Sequence, residues 1–118
     1  MSSKLNYIPE RGDIIWINFT PQSGREQAGH RPALVVSPKL YNQKVGLALC
    51  CPITSQVKGY PFEVLLPKIN KVSGAVLSDH IKSLDWRARK AEFSSRVSRD
   101  ILDEVISKIT PLILVDSL

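Results

Sequence analysis

The chain has 118 residues, enough for one hydrophobic core and too few for a second, so residues 1–118 are expected to form a single domain. With 43% hydrophobic and 23% charged residues it is too apolar for disorder, and its longest apolar stretches, residues 45–53 and 112–115, fall far short of a membrane span. The net charge of +5 is a modest excess, and the first nine residues contain no apolar signal core, so no export and a cytoplasmic location are expected.

In chain order, Gly12 opens a first strand at residues 13–19, rich in β-branched and aromatic side chains. Arg11-Gly12-Asp13 spells an adhesion tripeptide, here read as a turn glycine followed by a strand. Residues 20–24 break the pattern and residues 25–31 read as a polar loop. Pro32 then opens a second strand at 33–37, closed by Pro38. Residues 39–44 suggest one helical turn. Residues 45–53 form a third strand whose near-continuous apolar character implies burial. Its adjacent cysteines, Cys50 and Cys51, would point to opposite faces and are poorly placed to bridge each other.

Residues 54–61 read as loop, 62–66 and 74–78 as two further strands around a turn region at 67–73, and 81–84 as a short strand. Lys82, Arg87, Arg89, Lys90, Arg96 and Arg99, set against Asp85 and Glu92, make a basic block that could attract a polyanion or simply form a solvated face. Ile101, Leu102, Val105, Ile106 and Ile109 fall at helical spacing. Ser98 is the expected N-cap and Pro111 the expected end, with a last strand at 112–115. Several short strands and one terminal helix predict a mainly β fold, a small SH3-like β-barrel with a C-terminal helix.

No glycine-rich phosphate loop, nucleophile elbow or metal-binding helix motif is present. With only two cysteines and two histidines, neither a zinc site nor a disulfide framework is supported, and no cofactor is expected. His30 and His80 could form an acid/base pair only if the fold brought them together. The polar stretches 25–31 and 54–60 would both emerge from strand ends, where a rigid barrel can present side chains to a ligand. Pro32 restricts the Arg31 backbone toward extended geometry. The planar guanidinium of Arg31 suits two oxygens of a phosphate, and Thr54 adds a hydroxyl. From these residues alone the structural alternative stands equally: Arg31 paired with Glu26, and Thr54 a strand-end residue.

Residues 11–16 and the pattern Gly24-Arg25-Glu26-Gln27-Ala28-Gly29-His30-Arg31-Pro32-Ala33-Leu34-Val35-Val36-Ser37 resemble the N-terminal signature of MazF/PemK toxins. The similarity continues through Pro52-Ile53-Thr54-Ser55-Gln56, Lys58-Gly59-Tyr60-Pro61-Phe62-Glu63-Val64 and residues 79–89, and spans about residues 7–114. The resemblance implies the toxin of a type II toxin–antitoxin system. Such a toxin is a homodimeric, metal-independent endoribonuclease that cuts single-stranded mRNA at short motifs and so inhibits translation and growth. In this family the 2′-hydroxyl attacks the adjacent phosphorus, leaving a 2′,3′-cyclic phosphate and a 5′-hydroxyl.

By the same resemblance Arg31 serves acid/base work and charge stabilisation, and Thr54 holds the phosphorane. Because a guanidinium keeps its proton, electrostatics is the larger expected share for Arg31. Glu26 and Gln27 would lie in a loop bordering the RNA, with His30 beside it. Ser55, Gln56 and Lys58 would extend the phosphate side, and Asp79, His80 and Lys82 would line a base-reading groove. His80 stands where the family pattern carries glutamine, a departure that bears on base preference. The implied partner is a MazE-like antitoxin whose acidic, apolar tail folds onto a basic groove. Two alternatives share the barrel without the chemistry: a CcdB-like gyrase-inhibiting toxin and a non-catalytic RNA-binding barrel.

Overall fold

The computed structural model describes residues 7–19, 29–114 and 116. Among them the elements run β1 (Asp13–Asn18), β2 (His30–Val35), α1 (Lys39–Val45), β3 (Ala48–Thr54), β4 (Glu63–Ile69), β5 (Val72–Leu77), a 3-10 turn (Ser78–His80), β6 (Lys82–Leu84), β7 (Glu92–Arg96) and α2 (Arg99–Leu114). All strand pairs are antiparallel. The sheet path is β4-β5-β3-β2-β1-β7, with β6 also on β3. The mainly β, curled sheet with a C-terminal helix is the architecture that the sequence pattern predicts.

The central strands are buried on both faces, which is why they read as continuous apolar runs. Ile14, Leu34, Cys51, Ile53, Val64 and Val76 pack with Val105 and Ile109 of α2 in one core. Ile15, Ile17, Ala33, Val35, Cys50 and Leu84 pack with Phe19 and Trp86 in a second core on the other face. Cys50 and Cys51 are therefore free thiols in different cores. Burial pushes each thiol up to about 12.

Strand β3 changes partner along its length. Its residues 48–50 pair with β6 and its residues 53–54 with β5, so residues 51–52 have no partner on that side. Pro52, which has no N–H to donate, falls in that gap. The connection from β5 to β6, including the 3-10 turn, spans the same interval. Pro32 lies within β2 and pairs with Trp16 of β1, one residue short of the first β2–β3 pair, Ala33 with Pro52.

Four expectations are corrected. First, β2 begins at His30, so His30 and Arg31 are strand residues rather than loop. Second, residues 39–45 form a full helix closed by Gly46 in the left-handed region (φ 81°), whose N–H reaches the Asn42 carbonyl at 3.0 Å; β3 therefore starts at Ala48 and ends on Thr54. Third, Pro111 does not stop α2: near the last turn it removes a single intrahelical bond, and residues 112–114 are helical and exposed with no strand to join. Fourth, β7 lies inside what reads as a basic block. Phe93 is its one bulky apolar residue and is exposed, so no alternation betrays it. It is held by its pairing with β1 and by the Arg96–Asp13 ion pair. Ser98 does cap α2, its hydroxyl accepting from the Ile101 N–H at 3.3 Å.

Candidate active site

Ile17 pairs with Arg31, and Ala33 pairs with Pro52. Continuing the β2–β3 register by two residues brings Arg31 level with Thr54. Both have the strand parity of Ala33, Val35 and Cys50, so they extend the face of the second core beyond its apolar end. Lys82 joins them on this face: it pairs with Cys50, and its Nζ lies 5.7 Å from the centroid of the buried Phe19 ring. Arg31 is exposed and its side chain, among the described residues, has no hydrogen bond or ion pair.

Thr54 is oriented locally. Its Oγ1 accepts from the Gln56 N–H at 3.1 Å, which uses one lone pair and leaves the hydroxyl proton free to donate outward. Behind it stands Gly74 of β5, at φ 119°, where a Cβ would lie 1.9 Å from the Thr54 carbonyl oxygen and 2.9 Å from the Ser55 Cα. Only glycine permits this backbone approach. Nothing in the local sequence separates Gly74 from an ordinary strand-opening glycine; the signal exists only once β5 is paired with β3.

Ser55, Gln56 and Lys58 follow in an exposed segment between β3 and β4. That segment is tied down by Glu63, whose carboxylate accepts the Lys58 N–H at 3.2 Å and the Gly59 N–H at 3.0 Å. Asp79 and His80 sit on the 3-10 turn. Asp79 Oδ2 accepts from the Tyr60 hydroxyl at 2.9 Å, and its Oδ1, 3.8 Å from His80 Nε2, is buried with no hydrogen-bond partner among the described residues. The hydrogen bond to Asp79, its negative charge and a smaller desolvation raise the Tyr60 phenol above its ordinary range.

The fold thus brings Arg31, Thr54 and Lys82 onto one face, with Ser55 and Gln56 beside Thr54, and sets Asp79 and His80 at the neighbouring edge. His30 is exposed at the start of β2 opposite Asn18, on a different element from His80. Glu26 and Gln27 lie outside the described residues, as does the Glu26 partner considered for Arg31. No group of three or more metal-ligating side chains forms among the described residues.

The basic block is dispersed rather than gathered. Arg87 stacks on Trp86 at 4.7 Å, Arg89 donates to the Asn18 carbonyl at 3.1 Å, Arg96 pairs with Asp13, and Arg99 pairs with Asp103 at 3.1 Å. Of its cations Lys82 joins the Arg31 face. Sequence reasoning assigned no role to Phe19, Tyr60 or Gly74.

Residues 10–113 match the family described as the PemK-like, MazF-like toxin of type II toxin–antitoxin system. Over 107 residues, 91% of this chain and 96% of the relative, the sequence is 50% identical to the endoribonuclease toxin MazF of Escherichia coli K12. It is 31% identical over 108 residues to the Escherichia coli endoribonuclease PemK, covering 88% of this chain and 81% of that relative. The crystal structure of MazF from Deinococcus radiodurans superposes with a TM-score of 0.83 at 54% identity, covering 91% of this chain and 97% of that one. A MazE–MazF crystal structure from the same organism gives 0.81 at 49% identity over 92% and 97% of the two chains. No helix among the described residues is long and apolar enough to cross a membrane.

Proposed function

The chain belongs to the PemK-like, MazF-like toxins of type II toxin–antitoxin systems, and from that premise we propose that it is a cytoplasmic, sequence-specific endoribonuclease that cuts single-stranded mRNA without a metal. One observation carries the reading: an exposed arginine, with no ion-pair partner among the described residues, lies level with an oriented threonine hydroxyl on the open end of one sheet face. A phosphodiester set there would receive two parallel N–H donors from Arg31 and one O–H donor from Thr54. Both are aimed at an oxyanion that gains charge as the phosphorane forms.

The nucleophile is the substrate's own 2′-hydroxyl, already positioned beside the phosphorus, so no metal-activated water is required. Its attack expels the 5′-oxygen of the next nucleotide and leaves a 2′,3′-cyclic phosphate and a 5′-hydroxyl. Lys82 adds positive charge on the same face. Ser55, Gln56 and Lys58 border the phosphate side, and Asp79 and His80 the side that reads bases, with Glu26, Gln27 and His30 as further RNA contacts. As a toxin the single 1–118 domain would act as a homodimer, for which exposed apolar side chains on β4, β7 and α2 provide area. It would be silenced by a MazE-like antitoxin whose acidic tail meets the Arg31 and Lys82 charges.

The test is a digest of a long RNA in excess chelator with both new ends mapped. Cyclic-phosphate and 5′-hydroxyl ends are expected, together with complete resistance of a substrate carrying deoxyribose 5′ to the scissile bond. Cleavage of that deoxy substrate, or activity lost in chelator and restored by a metal, would overturn the mechanism. Binding without product would leave the passive barrel.

A further inference from the structure

We propose that Tyr60 is a stacking platform for a nucleobase flanking the scissile phosphodiester, a reading that rests on RNA being the substrate. Tyr60 lies in the segment joining β3 to β4, between the Thr54 end of that segment and the Asp79 turn. Its side chain is 47% exposed. A tyrosine retained for packing would bury its ring, and one retained for solubility would leave its hydroxyl in water. Tyr60 does neither fully: the residue is half exposed, and its hydroxyl is tied to Asp79 at 2.9 Å.

Several further ties fix the pose before any ligand arrives. Pro61 restricts the Tyr60 backbone toward extended geometry. The Tyr60 carbonyl accepts from the Glu63 N–H at 2.9 Å, and the Glu63 carboxylate in turn holds the two preceding backbone N–H groups. Lys108 Nζ of α2 grips the Pro61 carbonyl at 2.8 Å. The Phe62 ring stands beside the Tyr60 ring at 5.9 Å and 47°, so one flank is occupied by protein. A ring fixed in this way loses little freedom when a base lies on it. Lys58, exposed two residues away, can draw the phosphate chain across it. Single-strand readers combine these same two elements, a cation for the backbone and an aromatic face for the base.

The experiment uses the full chain and short RNAs containing the mapped motif, made uncleavable by deoxyribose at the scissile position, with 2-aminopurine placed at each flanking base in turn. Wild type should quench fluorescence at one position. Tyr60→Leu should abolish that quench and weaken binding roughly ten- to a hundredfold, with the loss of activity appearing in KM more than in kcat. Tyr60→Phe, which keeps the ring and drops the tie to Asp79, should retain the quench with only a few-fold weaker binding, and it guards against misfolding of the leucine variant. Quenching by Tyr60→Leu equal to wild type, or no quench at any position with wild type, overturns the platform. A wild-type protein that binds and quenches but never cuts the all-ribose RNA supports the platform and refutes the nuclease reading instead.

Discussion

The two ends of β1 handle positive charge in opposite ways. At its start, Asp13 is buried and collects three donors: the Tyr7 hydroxyl at 2.7 Å, the Glu10 N–H at 3.0 Å and the Arg96 guanidinium. Arg96 is further bound to the Arg11 carbonyl at 3.0 Å and lies 3.7 Å from Glu10. These ties commit that arginine to the protein, where it fastens β7 to β1. At the other end, Arg31 opposite Ile17 and Lys82 above Phe19 face no carboxylate among the described residues. A cation matched by a buried carboxylate is structure, whereas one left unmatched beside an oriented hydroxyl is available to an anion.

The contrast breaks first at Arg31. Removing a donor to a developing oxyanion costs on the order of 10²–10³ in rate. Arg31→Ala should therefore reduce single-turnover cleavage at saturating enzyme by at least that factor while the melting curve stays in place. Arg31→Lys should recover only part, because a point charge lacks the two-pronged geometry. Near wild-type cleavage by Arg31→Ala would move the chemistry to His30 or His80.

Gly74 tests whether the Thr54 side of that end must be placed as well as present. Thr54→Ala removes one hydroxyl bond, worth about 1 kcal/mol, and should slow cleavage roughly fivefold to tenfold. Gly74→Ala leaves the hydroxyl in place but drives a methyl into the Thr54 carbonyl. A displacement near 1 Å can cost about a hundredfold. The glycine variant should therefore be the slower of the two, assayed well below its melting temperature, and the reverse order would show that Thr54 tolerates displacement.

Much of this was legible in the sequence, for reasons that differ by element. The β-branched runs of β1 and β3 and the 3.6-residue spacing of α2 announce themselves because burial dictates each side chain. β7 does not, since its pairing is made by backbone groups and one ion pair. Arg31, held by the following Pro32, and Thr54, where a buried strand ends, stand out as polar residues at strand ends. Their alignment could not be read, because it follows from the β2–β3 register, a pairing of distant segments. The basic block misled in the other direction: a count of arginines cannot tell Arg96, already matched by Asp13, from one that is free.

The structural end of β1 should fail in stability rather than in chemistry. Arg96→Ala strips a charged partner from the buried Asp13 carboxylate, and a hydrogen bond to a charged group is worth about 1.5–3 kcal/mol. Urea unfolding should show a loss in that range, while cleavage per folded molecule stays within a few-fold of wild type. A selective loss of cleavage without a loss of stability would place Arg96 in the RNA path and dissolve the distinction between the two ends.

The smallest expected effect is a pH dependence at the same end. Desolvation first, then the hydrogen bond to Asp13 and its charge, hold the Tyr7 phenol above its ordinary range. The native state therefore keeps this proton where the unfolded chain gives it up. The unfolded state binds fewer protons above about pH 10, so the slope of unfolding free energy with pH is negative there, up to about 1.4 kcal/mol per pH unit for one group. The contribution is complete below pH 10 and is lost as the pH rises. Tyr7→Phe removes both the donor to Asp13 and this titration. At pH 7 it should be less stable than wild type by about 1.5 kcal/mol, the low end for a bond to a charged acceptor. Above pH 10 the wild type declines more steeply and the gap should close. The buried thiols, also held protonated, steepen both curves alike and drop out of the difference. Urea midpoints measured at pH 7, 9 and 11 decide the matter, and a gap that stays constant across the series would mean that Tyr7 does not hold its proton against Asp13.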